Sequence, residues 1–336
     1  MRLGIIGLPY VGKTTVFNAL TRSTAKTGGF GAANQPNLAV VRVPDPRIDL
    51  LSEMYHPKKT IYATVEYLDI AGFEQGSASK GSENFLDPAR KVDALIHVVR
   101  AFEDPEVLSV GETIDPKRDF NILETELILT DLIAVEGRLE KIELGLKRNR
   151  KPEHPFEEET LRLCKETLEA EKPLRALTLT EDQSSSIRGF GFLSLKPMLV
   201  VVNIGEDQIG KTFADLAPDL PVLEVCGKLE AELGQLDETE AAELMKEYGV
   251  KESSLNKMIR ISYQLLGLIS FFTVGEDEVR AWTIRKGYTA LVAAGEIHSD
   301  IQRGFIRAEL ISYDDLMECG TMVKAKEKGV LRLEGK

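Results

Sequence analysis

The octapeptide GLPYVGKT, residues 7–14, constrains this chain more than any other stretch, because it matches G-x-x-x-x-G-K-[ST] in register. Such a loop needs a strand before it and a helix after it. The apolar run RLGII (2–6) supplies the first, and TTVFNALT, with Val16 and Leu20 on one face, supplies the second. Gly7 and Gly12 let the backbone curl so that its N–H groups converge on an anion at a helix N-terminus. Lys13 then reaches a phosphate as a point charge, and the Thr14 hydroxyl is a hard oxygen suited to Mg²⁺. Gly7, Pro9, Tyr10, Val11, Gly12, Lys13, Thr14 and Thr15 form the candidate phosphate loop, with Lys13 stabilising charge and no general base assigned.

The run ATVEYLDIAG ends in Asp69-Ile-Ala-Gly72. An Asp at the end of a buried strand suits the water shell of Mg²⁺, and a Gly72 N–H suits a γ-phosphate. DALIHVV (93–99), MLVVVN (198–203) and VLEVC (222–226) are further apolar runs of strand length. Strands alternating with helical segments predict an α/β fold with a mostly parallel sheet and a ligand at the strands' carboxyl ends.

The strand MLVVVN leads into Asn203-Ile204-Gly205-Glu206. A guanine-reading loop would carry N-K-x-D there; here the Lys is Ile204 and the Asp is Glu206, a methylene longer. Guanine specificity is therefore doubtful. The Asn203 amide either pairs with adenine or caps the strand end.

Composition narrows the classes. Hydrophobic residues make up 43% of the 336 and charged residues 29%, as in a globular protein. A net charge of −12 argues against coating nucleic acid, though not against a local basic contact. No apolar run reaches the ~18–20 residues of a membrane span. The cysteines (Cys164, Cys226, Cys319) have neither metal nor disulfide spacing, and the chain reads as cytoplasmic.

The chain resembles the YchF, or Obg-like ATPase, family of P-loop proteins. The resemblance rests on GLPYVGKTT, PNLAVVRVPDPR, VEYLDIAG, HVVRAFED, TELILTDL, LKPMLVVVNIGE, KLEAEL, EVRAWTIRKG and AGEIHSDIQRGFIRAE, in the family's order over nearly the whole chain. It implies ATP binding as well as, or better than, GTP through N-x-x-E, with Mg²⁺, and association with ribosomes. It places Cys226, Gly227 and Lys228 in the last nucleotide-contacting loop beside Asn203, Ile204 and Glu206. The implied layout is a nucleotide domain over 1–120 and 196–270, an antiparallel helical hairpin over 121–195, and a TGS-like β-grasp domain over 271–336. That domain stops at VLRLEGK, before the family's usual final strand, so it is expected to be incomplete or to continue beyond the residues given.

Three departures from the family or its GTPase cousins bear on turnover. Phe73 stands where Ras-like GTPases keep a water-orienting Gln, and the family itself carries a hydrophobic residue at that place. Ala33 falls on the switch Thr, unless Thr27, Asn34 or water substitutes. Ser109 replaces a His and has no pKa near neutrality. Nucleotide sensing is assigned to 28–37 and 73–85. The expectation is secure binding with slow ATP hydrolysis, or a nucleotide-sensing module without it.

Ile128, Leu132, Val135, Leu139, Ile142 and Leu146 alternate at four- and three-residue spacing, a hairpin seam. After the turn, Phe156, Leu161, Cys164 and Leu168 resume it. The basic tip Lys147, Arg148, Arg150 and Lys151 is either a solvated helix end or a contact to ribosomal RNA. His97 is expected buried and hydrogen-bonded, and Trp282 is expected in the core of the small domain.

Overall fold

The computed structural model describes residues 1–21, 37–70, 87–105, 113–148 and 154–335. Its strands are β1 (Arg2–Ile6), β2 (Asn37–Arg42), β3 (Lys59–Ile61), β4 (Thr64–Asp69), β5 (Ala94–Arg100), β6 (Met198–Asn203), β7 (Val222–Val225), β8 (Leu268–Thr273), β9 (Glu278–Arg285), β10 (Arg307–Leu310) and β11 (Arg332–Gly335). The chain divides into two compact units, Met1–Val41 with Val65–Leu265, and Arg42–Thr64 with Leu266–Lys336.

The first unit is built on a six-stranded sheet in the order β2-β4-β1-β5-β6-β7. From β4 to β7 every neighbouring pair is parallel. Every residue of β5 and β6 is buried. That is why these strands read as unbroken apolar runs rather than as alternating ones. The register sets Ile5 beside Asp69 and Arg100 beside Asn203, so the carboxyl ends of these strands share one edge.

The hairpin consists of helices Pro116–Leu146 and Glu157–Glu169. Asp115 caps the first by accepting from the Arg118 N–H at 3.0 Å, with Pro116 at the first helical position. Ile128, Val135, Leu139 and Ile142 bury against Leu161, Cys164 and Leu168, with Leu132 partly buried. The predicted seam stops short of Leu146, which is 42% exposed, as is Phe156 at 41%. Both sit beside the hairpin's turn, where neither helix has a further turn to cover them. At the other end Leu123 and Leu127 join the core beneath β1 and β5, so the hairpin belongs to the first unit.

In the hairpin's root, Asp131 is fully buried and accepts from the Leu193 N–H, the Ser194 N–H and the Ser194 hydroxyl at 2.9, 2.7 and 2.7 Å. Nearby, the Lys196 ammonium donates to the carbonyls of Arg90 and Val92.

His97 is buried in β5 as expected, but its Nδ1 has no partner among the described residues; its ring stacks on Phe120 at 5.3 Å. Burial, then Arg175 and Lys13, pushes its pKa from 6.5 down to about 3. A base depressed in the folded state contributes nothing to pH dependence above pH 6.5, where both states are neutral. As pH falls from 6.5 towards 3, the unfolded chain takes up the proton first and stability is lost. Wild type should therefore lose about 1 kcal/mol per pH unit more than His97→Leu over this window. Urea denaturation at pH 6.5, 5.5 and 4.5 measures it; parallel curves would refute a buried neutral His97.

The second unit holds a three-stranded sheet, β3-β9-β8, and a two-stranded one, β10-β11. β3 pairs parallel with β9, β8 antiparallel with β9, and β10 antiparallel with β11. The helices Pro46–Tyr55 and Ala290–Ile297 pack on β9. A small sheet backed by helices is consistent with the TGS-like expectation. Residues 42–64, assigned from sequence to the nucleotide domain, lie with this unit because β3 finds its pairing partner there.

Trp282 is half-buried rather than a core anchor. Its ring lies 3.8 Å from the Arg280 guanidinium and stacks on Phe271 at 6.3 Å, and its Nε1–H donates to Thr273 Oγ1 at 2.9 Å. The buried positions of β9 are Val279, Ala281 and Ile284.

Candidate nucleotide-binding site

Where β1 ends, the chain turns through Gly7 to Gly12 and enters the helix Lys13–Thr21. Leu8 and Val11 are buried and anchor the loop from below, Pro9 is half-buried, and Tyr10, at φ 62°, is 43% exposed. A Cβ on Gly7 would stand 2.5 Å from the Val98 carbonyl oxygen. Gly12 has φ +88°, and a Cβ there would stand 2.2 Å from Asn203 Nδ2. Both glycines are thus required by close approach as well as by conformation.

Lys13 is only 7% exposed. Its ammonium donates to the carbonyls of Gly7 at 3.1 Å and Leu8 at 2.7 Å, curling back over the loop. Burial lowers its pKa to about 8, against the pull of Asp69. Thr14 Oγ1 donates to Asp69 Oδ2 at 3.0 Å, joining the first turn of the helix to the end of β4. Burial raises the Asp69 carboxyl, opposed by Thr14, Lys13 and Asn37. This hydroxyl–carboxylate pair is an all-oxygen donor set, and no group of three His, Cys, Asp or Glu suited to a metal occurs among the described residues. One or two protein oxygens completed by water and phosphate are what Mg²⁺ takes, so Thr14 and Asp69 fit it.

Asn203, at the end of β6, is 5% exposed, and both ends of its amide are used inside the protein. Its Nδ2 donates to the Val11 carbonyl at 3.0 Å, and its Oδ1 accepts from the Gly227 N–H at 3.2 Å. These two bonds tie the phosphate loop to the loop that carries Gly227. Gly227 lies against this amide and against Thr15, so a Cβ there would be tight at 3.1 Å from Asn203 Oδ1.

Ile204 points into the core with Val99, Val202 and Leu229, and Cys226 is buried in the same cluster, its thiol pushed up by burial. Their side chains are thus packing groups, although their place in the loops is as expected. Glu206 accepts from the Lys228 ammonium at 2.9 Å and from the Tyr248 hydroxyl at 3.0 Å. These bonds, Lys228's first, hold its carboxyl below the usual range.

Three further residues went unassigned from sequence. Arg100, buried at the end of β5, donates through Nε to the Phe102 carbonyl at 3.1 Å and stacks on that ring at 4.4 Å. The Phe102 N–H donates to the Asn203 carbonyl at 3.2 Å. Arg100 had a signal, a cation closing a buried apolar strand; Tyr248, at the end of the helix Glu238–Glu247, had none. Gly72, Ala33, Phe73, Ser109, Arg150 and Lys151 lie outside the described residues, as do most of the segments 28–37 and 73–85.

Residues 2–131 match the family model described as 50S ribosome-binding GTPase, and residues 268–336 match the YchF-GTPase C-terminal model, described as a protein of unknown function (DUF933). The chain is 42% identical to the ribosome-binding ATPase YchF of Bacillus subtilis over 99% of its length and 94% of that protein's. It is 40% identical to the Escherichia coli O157:H7 protein of the same name, over 100% and 95%. The structure of the Schizosaccharomyces pombe YchF GTPase superposes with a TM-score of 0.85 at 33% identity, covering 100% of this chain and 94% of that one. Among the described residues no helix is long and apolar enough to cross a membrane.

Proposed function

This chain belongs to the YchF family, and from that premise we propose that it is a Mg²⁺-dependent purine-nucleotide switch that binds ATP, and also GTP, hydrolyses ATP slowly and acts on the ribosome. The observation that carries this reading is the loop geometry, with Gly7 and Gly12 in close approach, Lys13 folded over the loop and Thr14 bonded to Asp69.

Each residue then has a task. Backbone N–H groups of the loop and the first helical turn bind the phosphate oxygens. Lys13, already desolvated, gains by exchanging carbonyl partners for phosphate charge. Thr14 and, through water, Asp69 would hold Mg²⁺, whose charge would offset that on the phosphates. Pro9, Tyr10, Val11 and Thr15 shape the phosphate side, while Asn203, Ile204, Glu206, Cys226, Gly227 and Lys228 shape the base side. The exposed Lys147 and Arg148 at the hairpin tip suit phosphates of ribosomal RNA, and the TGS-like domain is a second contact; such a protein works in the cytoplasm. The names of the relatives support the ribosomal partner.

Single-turnover cleavage of γ-labelled ATP with Mg²⁺ tests the proposal. Wild type should exceed Lys13→Ala by about 100-fold or more, with ribosomes accelerating it if they complete the site in trans. Wild type no faster than Lys13→Ala, both with ribosomes and without them and with binding confirmed separately, would leave a nucleotide sensor and remove the enzymatic reading.

A further inference from the structure

Glu206 is expected to face the base, yet its carboxylate is held by the protein on both oxygens. Oε2 takes the Lys228 ammonium at 2.9 Å and Oε1 takes the Tyr248 hydroxyl at 3.0 Å. The three residues come from three separate elements: the turn after β6, the helix Gly227–Leu233, and the end of the helix Glu238–Glu247. Tyr248 and Leu244 also pack beside the cluster containing Ile204, which fixes the end of that helix next to the turn. We propose that Tyr248, with Lys228, locks the Glu206 carboxylate and so sets the preference for adenine over guanine. The proposal rests on the nucleotide reading above and assigns to Tyr248 a positioning role in it.

The chemistry runs in one direction. Guanine offers two adjacent donors, N1–H and the 2-amino group, and a carboxylate reads them by presenting both oxygens to them edge-on. Glu206 cannot turn to do so without giving up Lys228 and Tyr248. Its charge is moreover balanced by the ammonium. Adenine offers an acceptor at N1 and only a C–H at position 2, its one amine lying on the opposite side of N1, so a free carboxylate placed for guanine would repel it and a locked, neutralised one does not. The lock thus withholds an acceptor from guanine and removes a repulsion from adenine. Removing Tyr248 leaves one oxygen released, on a side chain that is 31% exposed and free to swing about the remaining Lys228 bond.

Tyr248→Phe keeps the ring and its packing while deleting the hydroxyl. Titration calorimetry with ATP, GTP and inosine triphosphate, each with Mg²⁺, is the measurement. Relative to ATP, GTP affinity should rise about fivefold or more. Inosine triphosphate, which keeps N1–H and lacks the 2-amino group, should gain less than GTP. In a Glu206→Gln background the same change should leave the GTP-to-ATP ratio where Glu206→Gln alone puts it. An unchanged ratio in Tyr248→Phe, or equal gains for GTP and inosine triphosphate, would overturn the lock while leaving nucleotide binding standing. Failure of wild type to bind any of the three would overturn the nucleotide reading and the lock together.

Discussion

Gly12→Ala is expected to weaken ATP binding by about 100-fold or more and to cost the fold about 2–4 kcal/mol. Two independent effects add. The backbone stands at φ +88°, where an alanine is strained, and the new Cβ would lie 2.2 Å from Asn203 Nδ2. Asn203 cannot step aside cheaply. It closes a buried strand, and its amide holds the Val11 carbonyl and the Gly227 N–H. Pushing it away leaves those groups unpaired, each at about 1–3 kcal/mol. The double variant Gly12→Ala/Asn203→Ala removes the collision and should recover part of the stability but not the binding, because the loop remains strained and unheld. Urea denaturation and ATP calorimetry separate the two effects. A Gly12→Ala protein that binds ATP like wild type would show that the loop adopts another shape in solution.

Asp131→Ala is expected to cost about 3–5 kcal/mol. The carboxylate satisfies three donors in a site with no exposure, and its loss orphans the Leu193 and Ser194 N–H groups together with the Ser194 hydroxyl. Burial raises the Asp131 carboxyl, opposed by its hydrogen bonds to Leu193 and Ser194 and by the charge of Arg90. Asp131→Asn retains one accepting oxygen but turns an amine towards a donor, and should lose roughly half as much. The measurement is the urea midpoint of each variant at neutral pH. A loss below about 1 kcal/mol in Asp131→Ala would show that water reaches these donors and that the hairpin root is not sealed.

The parts of the molecule legible in the sequence are those in which a few neighbouring residues decide the outcome. RLGII and MLVVVN coincide with β1 and β6, because a strand buried on both faces must be apolar throughout. The glycine loop was legible because φ, close approach and charge all act within eight residues. What was not legible depends on partners distant in the chain. β3 is three residues long, carries no periodicity of its own, and exists only because β9 pairs with it. The bonds from the Asn203 amide to Val11 and Gly227 join residues far apart in the chain, and no local pattern announces them. Glu206 was found by its place after β6, but its state depends on Lys228 and Tyr248, and no spacing rule joins those three. Residue type alone would put Trp282 in the core; on β9 it shares its surroundings with Arg280 and Phe271.

The excursion of residues 42–64 bears on how the C-terminal unit can be isolated or inherited. The chain enters that unit after Val41, leaves it after Thr64 and returns at Leu266. A fragment cloned from 266 onwards would lack β3, baring one edge of β9, and would lack the helix Pro46–Tyr55 that covers it. The region matched by the C-terminal family model, 268–336, therefore covers only part of that compact unit. An autonomous copy would have to be assembled out of chain order, with residues 42–64 grafted onto it through a new connection. Gene fusion or exchange at the visible boundary would transfer only a part of that unit.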